Sequence, residues 1–274
     1  MTVTAEQFTF LANMLREKSA ISIGPGKEYL VESRLTPVAK AIGLPDLSAL
    51  IDELQRPFPN ATVRDRVIEA MTTNETSFFR DHHPFDTLRT HVLPDIIKAN
   101  QAVRRLSIWS AASSTGQELY SIAMLLDMNF PELADWDITL VGTDLSTDVL
   151  EKARAGRFSP LEVNRGLPAP MMARYFTRDG AQYVIDEKLR KWCSFEKMNL
   201  AEPWPPMPLF DIVFCRNVLI YFELDVRQNI LQRIHRSLAT GGYLYLGGSE
   251  STVGVTTGFE PIRVGNTVVY RMEA

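Results

Sequence analysis

Two stretches carry residue types that can do chemistry on a nucleoside. Residues 106–126 read LSIWSAASSTGQELYSIAMLL. Residues 106–109 are a short apolar run with the look of a buried strand, and residues 110–116 are all small. From Gln117 onward Leu119, Ile122, Ala123 and Leu126 recur at helical spacing. Strand, small-residue turn and helix form the first half of a nucleotide-binding βαβ unit. Small side chains let a ligand approach the backbone, and the helix N-terminus offers free N–H groups. The second stretch, ITLVG followed by Thr143-Asp144-Leu145-Ser146, places Asp144 at the carboxyl end of a second strand, with Ser146 as a good N-cap for a helix over 147–155. In a doubly wound sheet an acidic side chain there meets the ribose hydroxyls of a bound nucleoside. Each stretch also fits a plainer role, an ordinary strand–helix corner and a loop aspartate beside a cap.

The turn is not G-x-G-x-x-G, since Gly116 is its only glycine, so the dinucleotide fingerprint fails. A pyrophosphate needs the close backbone approach which that fingerprint provides. A ligand without phosphate, such as S-adenosylmethionine (SAM), needs it less. The chain offers no evident nucleophile or metal centre. Cys193 and Cys215 lie in apolar, strand-like runs, and no C-x-x-C or His/Cys cluster suggests a metal. The adjacent His82 and His83 do not face one another on a helix.

The elements that must hold these groups follow from the rest of the chain. At 274 residues, 45% hydrophobic and 23% charged, the composition is globular. A net charge of −4 argues against a nucleic-acid binder. No apolar run approaches the length of a membrane span, and MTVTAEQFTF lacks the features of a signal peptide, so a cytoplasmic setting is expected. Residues 1–74 read as helices only: one capped by Thr4, one from about Lys27 with Pro37 inside it and Gly43 at its end, one begun near Asp46, and one over 62–71. A linker with a helix spans 75–104, its Phe78 and Phe79 pinning it to a core. From 105 to 274 the pattern is α/β. Strands are expected over 106–109, 138–142, 210–215, 243–246 and 267–271, the last antiparallel, with helices over 147–155 and 225–238. Residues 157–196, with strand-like runs at 183–185 and 192–195, read as a small β insertion.

In order and spacing TNETSFFRD, SAASSTGQELYS, GTDLS, KMNL and FDIVFCRNVLIYF resemble the chemotaxis receptor methyltransferases, the CheR family. The resemblance spans nearly the whole chain, and CRNVLIYF with TNETSFFR are its specific segments. It implies an all-α N-terminal domain, then a Rossmann-like SAM-dependent methyltransferase sheet with a small β-subdomain. The implied reaction is methyl transfer from SAM to glutamates of the chemoreceptor cytoplasmic helical bundle, leaving S-adenosylhomocysteine (SAH). The implied cofactor contacts are Asn74, Thr76 and Arg80 from the linker side, Glu118 and Asp144 after the first two strands, Asn199 and Leu200 on the adenine side, and Arg216 and Asn217 past the fourth strand. Tyr221 with Arg80 is implied to face the transfer site, Arg80 orienting the acceptor carboxylate or clamping the carboxylate of the cofactor.

Two features depart from the family. The turn over 177–181 is short where receptor-tethering members have a longer, glycine-rich one, which argues against binding a receptor's C-terminal pentapeptide. The second helix, basic in the family, carries Lys27, Arg34 and Lys40 as candidate receptor contacts but also Glu28 and Glu32, with Arg64 and Arg66 as candidate additions to a basic face. The rival readings are a SAM methyltransferase of another substrate and a non-catalytic SAM-binding regulator.

Overall fold

The computed structural model describes residues 3–273. They divide into two compact units. One runs through Thr73 and takes in Tyr221–Val226; the other comprises Asn74–Ile220 and the chain from Arg227 on.

The first unit is four helices, α1 (Ala5–Ser19), α2 (Glu28–Ala41), α3 (Leu47–Leu54) and α4 (Ala61–Met71). Their starts are chemically marked. Thr4 and Gln7 form a reciprocal capping box on α1, Asp46 accepts from the Ala49 N–H, and Asn60 accepts from the Thr62 N–H. Leu11, Leu15, Val31, Leu35, Leu50, Ile51 and Val67 are fully buried. Arg34 donates to the carbonyls of Met71 (2.7 Å) and Thr72 (3.0 Å) and to Thr73 Oγ1 (3.1 Å). A guanidinium is favoured there, where α4 leaves carbonyls unpaired. Of Lys27, Arg34 and Lys40, the cations expected to face a partner, Arg34 is therefore engaged inside the helical unit.

In the second unit α5 (His83–Thr87), a π turn (Leu88–Val92) and α6 (Leu93–Asn100) run almost without break into the sheet. The strands are β1 (Arg105–Ala111), β2 (Asp137–Asp144), β3 (Arg157–Phe158), β4 (Phe176–Asp179), β5 (Gln182–Ile185), β6 (Cys193–Lys197), β7 (Phe210–Cys215), β8 (Leu238–Leu246), β9 (Phe259–Val264) and β10 (Thr267–Met272). The main sheet has the order β6-β2-β1-β7-β8-β10-β9, and only β10 runs against the rest. Helices α7 (Gln117–Asn129), α8 (Thr147–Ala155) and α12 (Leu224–Ser237) join its parallel strands. The strand order reverses between β1 and β7, and ligands of doubly wound sheets bind outside the strand ends at such a switch point. β3, β5 and β4 form a separate antiparallel sheet, accompanied by α9 (Pro160–Asn164), α10 (Ala169–Tyr175) and α11 (Glu187–Trp192). Its β4–β5 hairpin closes over just Gly180 and Ala181, since Asp179 pairs with Gln182.

The structure differs from the sequence expectations at four places. The run at 192–195 does not belong to the insertion; as β6 it pairs in parallel with β2 at the edge of the main sheet. Phe195 is its one fully buried residue, with Cys193 half-buried, so the run carries the one-sided pattern of the antiparallel strands beside it in sequence. β9 is a strand beyond those expected; it lies at the sheet edge, paired only with β10, where a proline such as Pro261 is tolerated. β8 begins at Leu238, directly after α12, with a register shift opposite Phe210 and Ile212, so residues 241 and 242 lie within a strand instead of ending the helix. Ser146 precedes α8 without a side-chain cap; the Asp144 carboxylate takes the Ser146 N–H instead (3.0 Å).

Candidate functional site

The switch point is framed by three backbone segments in left-handed conformation. After β1, Ala112 (φ 58°) and Ser114 (φ 51°) bend the small-residue turn, and Gly116 (φ 89°) opens α7. After β7, Asn217 has φ 59°, and before α5 so do Phe79, Asp81 and His82 with φ 48°, 68° and 51°. Non-glycine residues hold such angles only where surrounding contacts over-determine them.

Those contacts centre on Arg216, whose side chain is 2% exposed. It donates to Glu118 (2.9 Å), to Asp81 (2.6 Å) and to the Arg80 carbonyl (3.2 Å), and its guanidinium lies 6.0 Å from the centre of the Phe85 ring. The other oxygen of Glu118 accepts from Ser110 Oγ at 2.8 Å. One buried cation thus binds the ends of β1 and β7 to the segment before α5. Removing one partner of such a buried pair costs about 3–5 kcal/mol, because the other charge is left uncompensated. Asp144, 7% exposed, forms the second centre. Its oxygens accept from the N–H groups of Ser114 (2.8 Å) and Ser146 (3.0 Å). Ser114 Oγ donates to the Asn74 carbonyl (2.7 Å), and Phe79 N–H donates to Ser121 Oγ (3.0 Å), so the TNETSFFRD segment is laced to the turn. Phe78 is buried edge-on against Phe158 and Phe176 of the small sheet. Gly142 has no room for a side chain: a Cβ would stand 2.6 Å from the Phe195 ring and 2.9 Å from Ser113 Oγ.

Most of the remaining expected residues have local partners of their own. Arg80 is half-buried and donates to the Glu75 carbonyl (2.9 Å); Thr76 is half-buried on the same segment. Met198 N–H donates to the Asp144 carbonyl (2.8 Å), which sets Asn199 and Leu200 directly past the β2–β6 ladder. Asn217 N–H donates to Glu250 (2.7 Å), which also accepts from Gly247 (2.7 Å) and Ile220 (3.3 Å). Tyr221 ends a short 3-10 turn (Leu219–Tyr221) that follows the Arg216–Asn217 corner, and its carbonyl accepts from Ser22 N–H (3.3 Å) within the helical unit. Sequence reasoning missed Asp81, Ser110, Ser114 and Glu250. Asp81 was adjacent to a residue already singled out; Glu250 carried no local signal.

The electrostatics do not favour thiol chemistry. Burial pushes the Cys193 thiol well above its ordinary range, and burial followed by the charges of Glu250 and Glu118 does the same to Cys215. Among the described residues no group of three or more His, Cys, Asp or Glu is placed to hold a metal ion, and no helix is long and apolar enough to cross a membrane.

Comparison with known proteins gives the arrangement a context. The family described as CheR methyltransferase, all-alpha domain, matches residues 6–72, and the CheR methyltransferase SAM-binding domain matches residues 74–268. Chemotaxis protein methyltransferase 1 of Pseudomonas aeruginosa is 38% identical over 276 residues, covering 99% of each chain. Chemotaxis protein methyltransferase Cher2 of Pseudomonas putida is 38% identical over 94% of each, and the Vibrio parahaemolyticus chemotaxis protein methyltransferase is 37% identical over 100% of this chain and 99% of its own. The residues at the switch point suit SAM chemically. A ribose diol and an ammonium would be met by fixed carboxylates of the kind Asp144 and Glu118 present, and a carboxylate by a guanidinium such as that of half-buried Arg80, Arg216 being enclosed by Glu118 and Asp81. The chain belongs to the CheR methyltransferase family, and its cofactor is S-adenosylmethionine.

Proposed function

We propose that this protein methylates glutamate side chains in the cytoplasmic helical bundle of chemoreceptors, forming glutamyl methyl esters that serve sensory adaptation in the cytoplasm. The observation carrying this reading is likeness over the full length to proteins named chemotaxis methyltransferases, 38% identity across 99% of both chains. The site chemistry agrees with it. A glutamate, with a reference pKa of about 4.3, is ionised at neutral pH and needs no base to become a nucleophile. SAM supplies a methyl group already activated on a sulfonium.

The protein's task is then to bind, desolvate and aim. Asn74, Thr76, Arg80, Glu118, Asp144, Asn199, Leu200, Arg216 and Asn217 are the proposed cofactor contacts, with Asp144 on the ribose. Arg80 orients the acceptor carboxylate or clamps that of the cofactor. The Tyr221 hydroxyl donates to the non-attacking acceptor oxygen, leaving the other oxygen in line with the methyl group at about 3–3.5 Å. The short β4–β5 turn supports docking without a pentapeptide tether.

The test uses SAM labelled in its methyl group, the purified protein and membranes bearing chemoreceptors. Washed product treated with mild base is expected to release the label as volatile methanol, as a carboxyl ester must. Label that survives base would place the methyl on nitrogen or an ether oxygen and overturn the glutamate assignment.

A further inference from the structure

The proline-rich segment over 203–208 plays no part in the chemistry above, yet it is tied down by specific contacts. Pro203, Pro205, Pro206 and Pro208 have no N–H to donate, and the segment forms neither helix nor strand. Side chains hold it instead. Trp204 packs edge-on against Trp109 of β1, with ring centres 5.1 Å apart and planes at 82°. Trp109 is fully buried and donates through Nε1 to Thr143 Oγ1 (2.9 Å), next to Asp144. On its other side Trp204 meets Arg233 of α12, whose guanidinium lies 4.5 Å from the ring centre. Arg233 Nη2 donates to the Leu200 carbonyl (2.7 Å), its Nη1 to the Glu202 carbonyl, and Trp204 Nε1 reaches the same Leu200 carbonyl at 3.3 Å. Asn199 Oδ1 meanwhile accepts from Ala201 N–H (3.0 Å), closing the turn on itself.

We propose that Arg233, acting through Trp204 and the Leu200 carbonyl, is a positioning residue for the adenosine half of the cofactor. This rests on the reading of Asn199 and Leu200 as the adenine-side contacts. Beyond Met198, where pairing with β2 ends, the turn's own backbone bond is local, from Glu202 N–H to the Asn199 carbonyl (3.2 Å), and does not tie it to the sheet. From outside it is held by a planar cation that does two things at once: it spans two carbonyls as a fork and covers an aromatic face. Lysine supplies the charge but neither the fork nor the plane. The stack also sets the Trp204 ring against β1, so the turn after β6 is referenced to the strand whose end carries the SAM-binding turn.

The test measures SAH affinity of the full chain by calorimetry and SAM kinetics by transfer to receptor membranes. Arg233→Lys and Arg233→Met are expected to raise the Kd for SAH and the KM for SAM about tenfold, while kcat at saturating SAM changes less than about twofold. Trp204→Phe, which keeps an aromatic face, is expected to restore most of the affinity lost in Trp204→Ala. A merely structural staple would instead lower the thermal midpoint and reduce kcat and affinity together. That result, or wild-type SAH affinity in Arg233→Lys, overturns the proposal. Should Arg233→Met not fold, Arg233→Lys decides. Asn199→Ala separates the two levels: unchanged SAH affinity there brings down the adenine-side reading itself, whereas weakened affinity there with an intact Arg233→Lys brings down only the role of Arg233.

Discussion

Asp144 shows how much a single carboxylate is asked to do. Each oxygen accepts one backbone N–H, from Ser114 and Ser146, so the group is aimed by the chain. Asp144→Ala deletes both the proposed ribose acceptor and the tie to the left-handed Ser114. SAH binding by calorimetry is expected to weaken more than about a hundredfold, the worth of two charge-assisted hydrogen bonds. Tyr221→Phe should act differently: turnover in the methanol-release assay falls about tenfold or more while SAH affinity stays within about twofold, as loss of a group that aims the acceptor without touching the cofactor requires. Asp144 was legible in the sequence because a strand end is local information: five residues, ITLVG, fix where it must lie. The Glu118–Arg216–Asp81 clasp was not legible as a clasp. Its partners are 98 and 135 positions apart, and nothing near Arg216 says that its charge is answered by two carboxylates and a carbonyl.

At the scale of elements, strain collects where the strands end. Six of the eight described non-glycine residues with positive φ lie in the three segments around the switch point, each conformation costing about 1–3 kcal/mol that the clasps must offset. A different device fixes the β insertion. Asp127 of α7, its side chain 9% exposed, accepts from Lys188, from Arg174 (3.2 Å) and from the Tyr175 hydroxyl (2.8 Å). Burial raises its pKa, but the hydrogen bonds from Lys188 and Tyr175 and the charges of Lys188 and Arg174 outweigh burial and leave it below the ordinary 3.8. A carboxylate depressed in the folded state contributes fully above its unfolded pKa and loses that contribution as pH falls through the folded value. Wild-type protein is therefore expected to lose stability steeply below about pH 4. Asp127→Asn is expected to be less stable at pH 7 and to show a shallower acid limb, read from thermal midpoints across pH 3–7. The insertion's existence could be read from the break in α/β alternation. Its limit could not, because an edge strand with one buried residue has the same alternation whichever sheet it joins.

For the molecule as a whole, the proposed function raises the question of how a chain of net charge −4 would approach a glutamate-bearing receptor segment. Its cations must be concentrated where the partner lies, and the geometry of α2 narrows the choice. Arg34 is bound to the end of α4 and unavailable. With about 100° per residue, Lys40 lies about 140° around the helix from Lys27, so the two do not press on one narrow surface. Lys40 instead shares a stripe with Tyr29 and Ser33, all three exposed, Tyr29 by 64%. If this stripe meets the receptor, Lys40→Glu should raise the KM for receptor membranes about threefold at low salt, and Lys27→Glu should change it less. The difference should fade as ionic strength rises past about 0.1 M, where the screening length falls to about 10 Å. Arg34→Ala should behave as a stability variant, losing about 1–2 kcal/mol with the KM for receptor unchanged once folded protein is counted. A KM that moves with Arg34 and not with Lys40 would relocate the docking surface away from this stripe, because the only charge then mattering would be one the helical unit has already consumed internally.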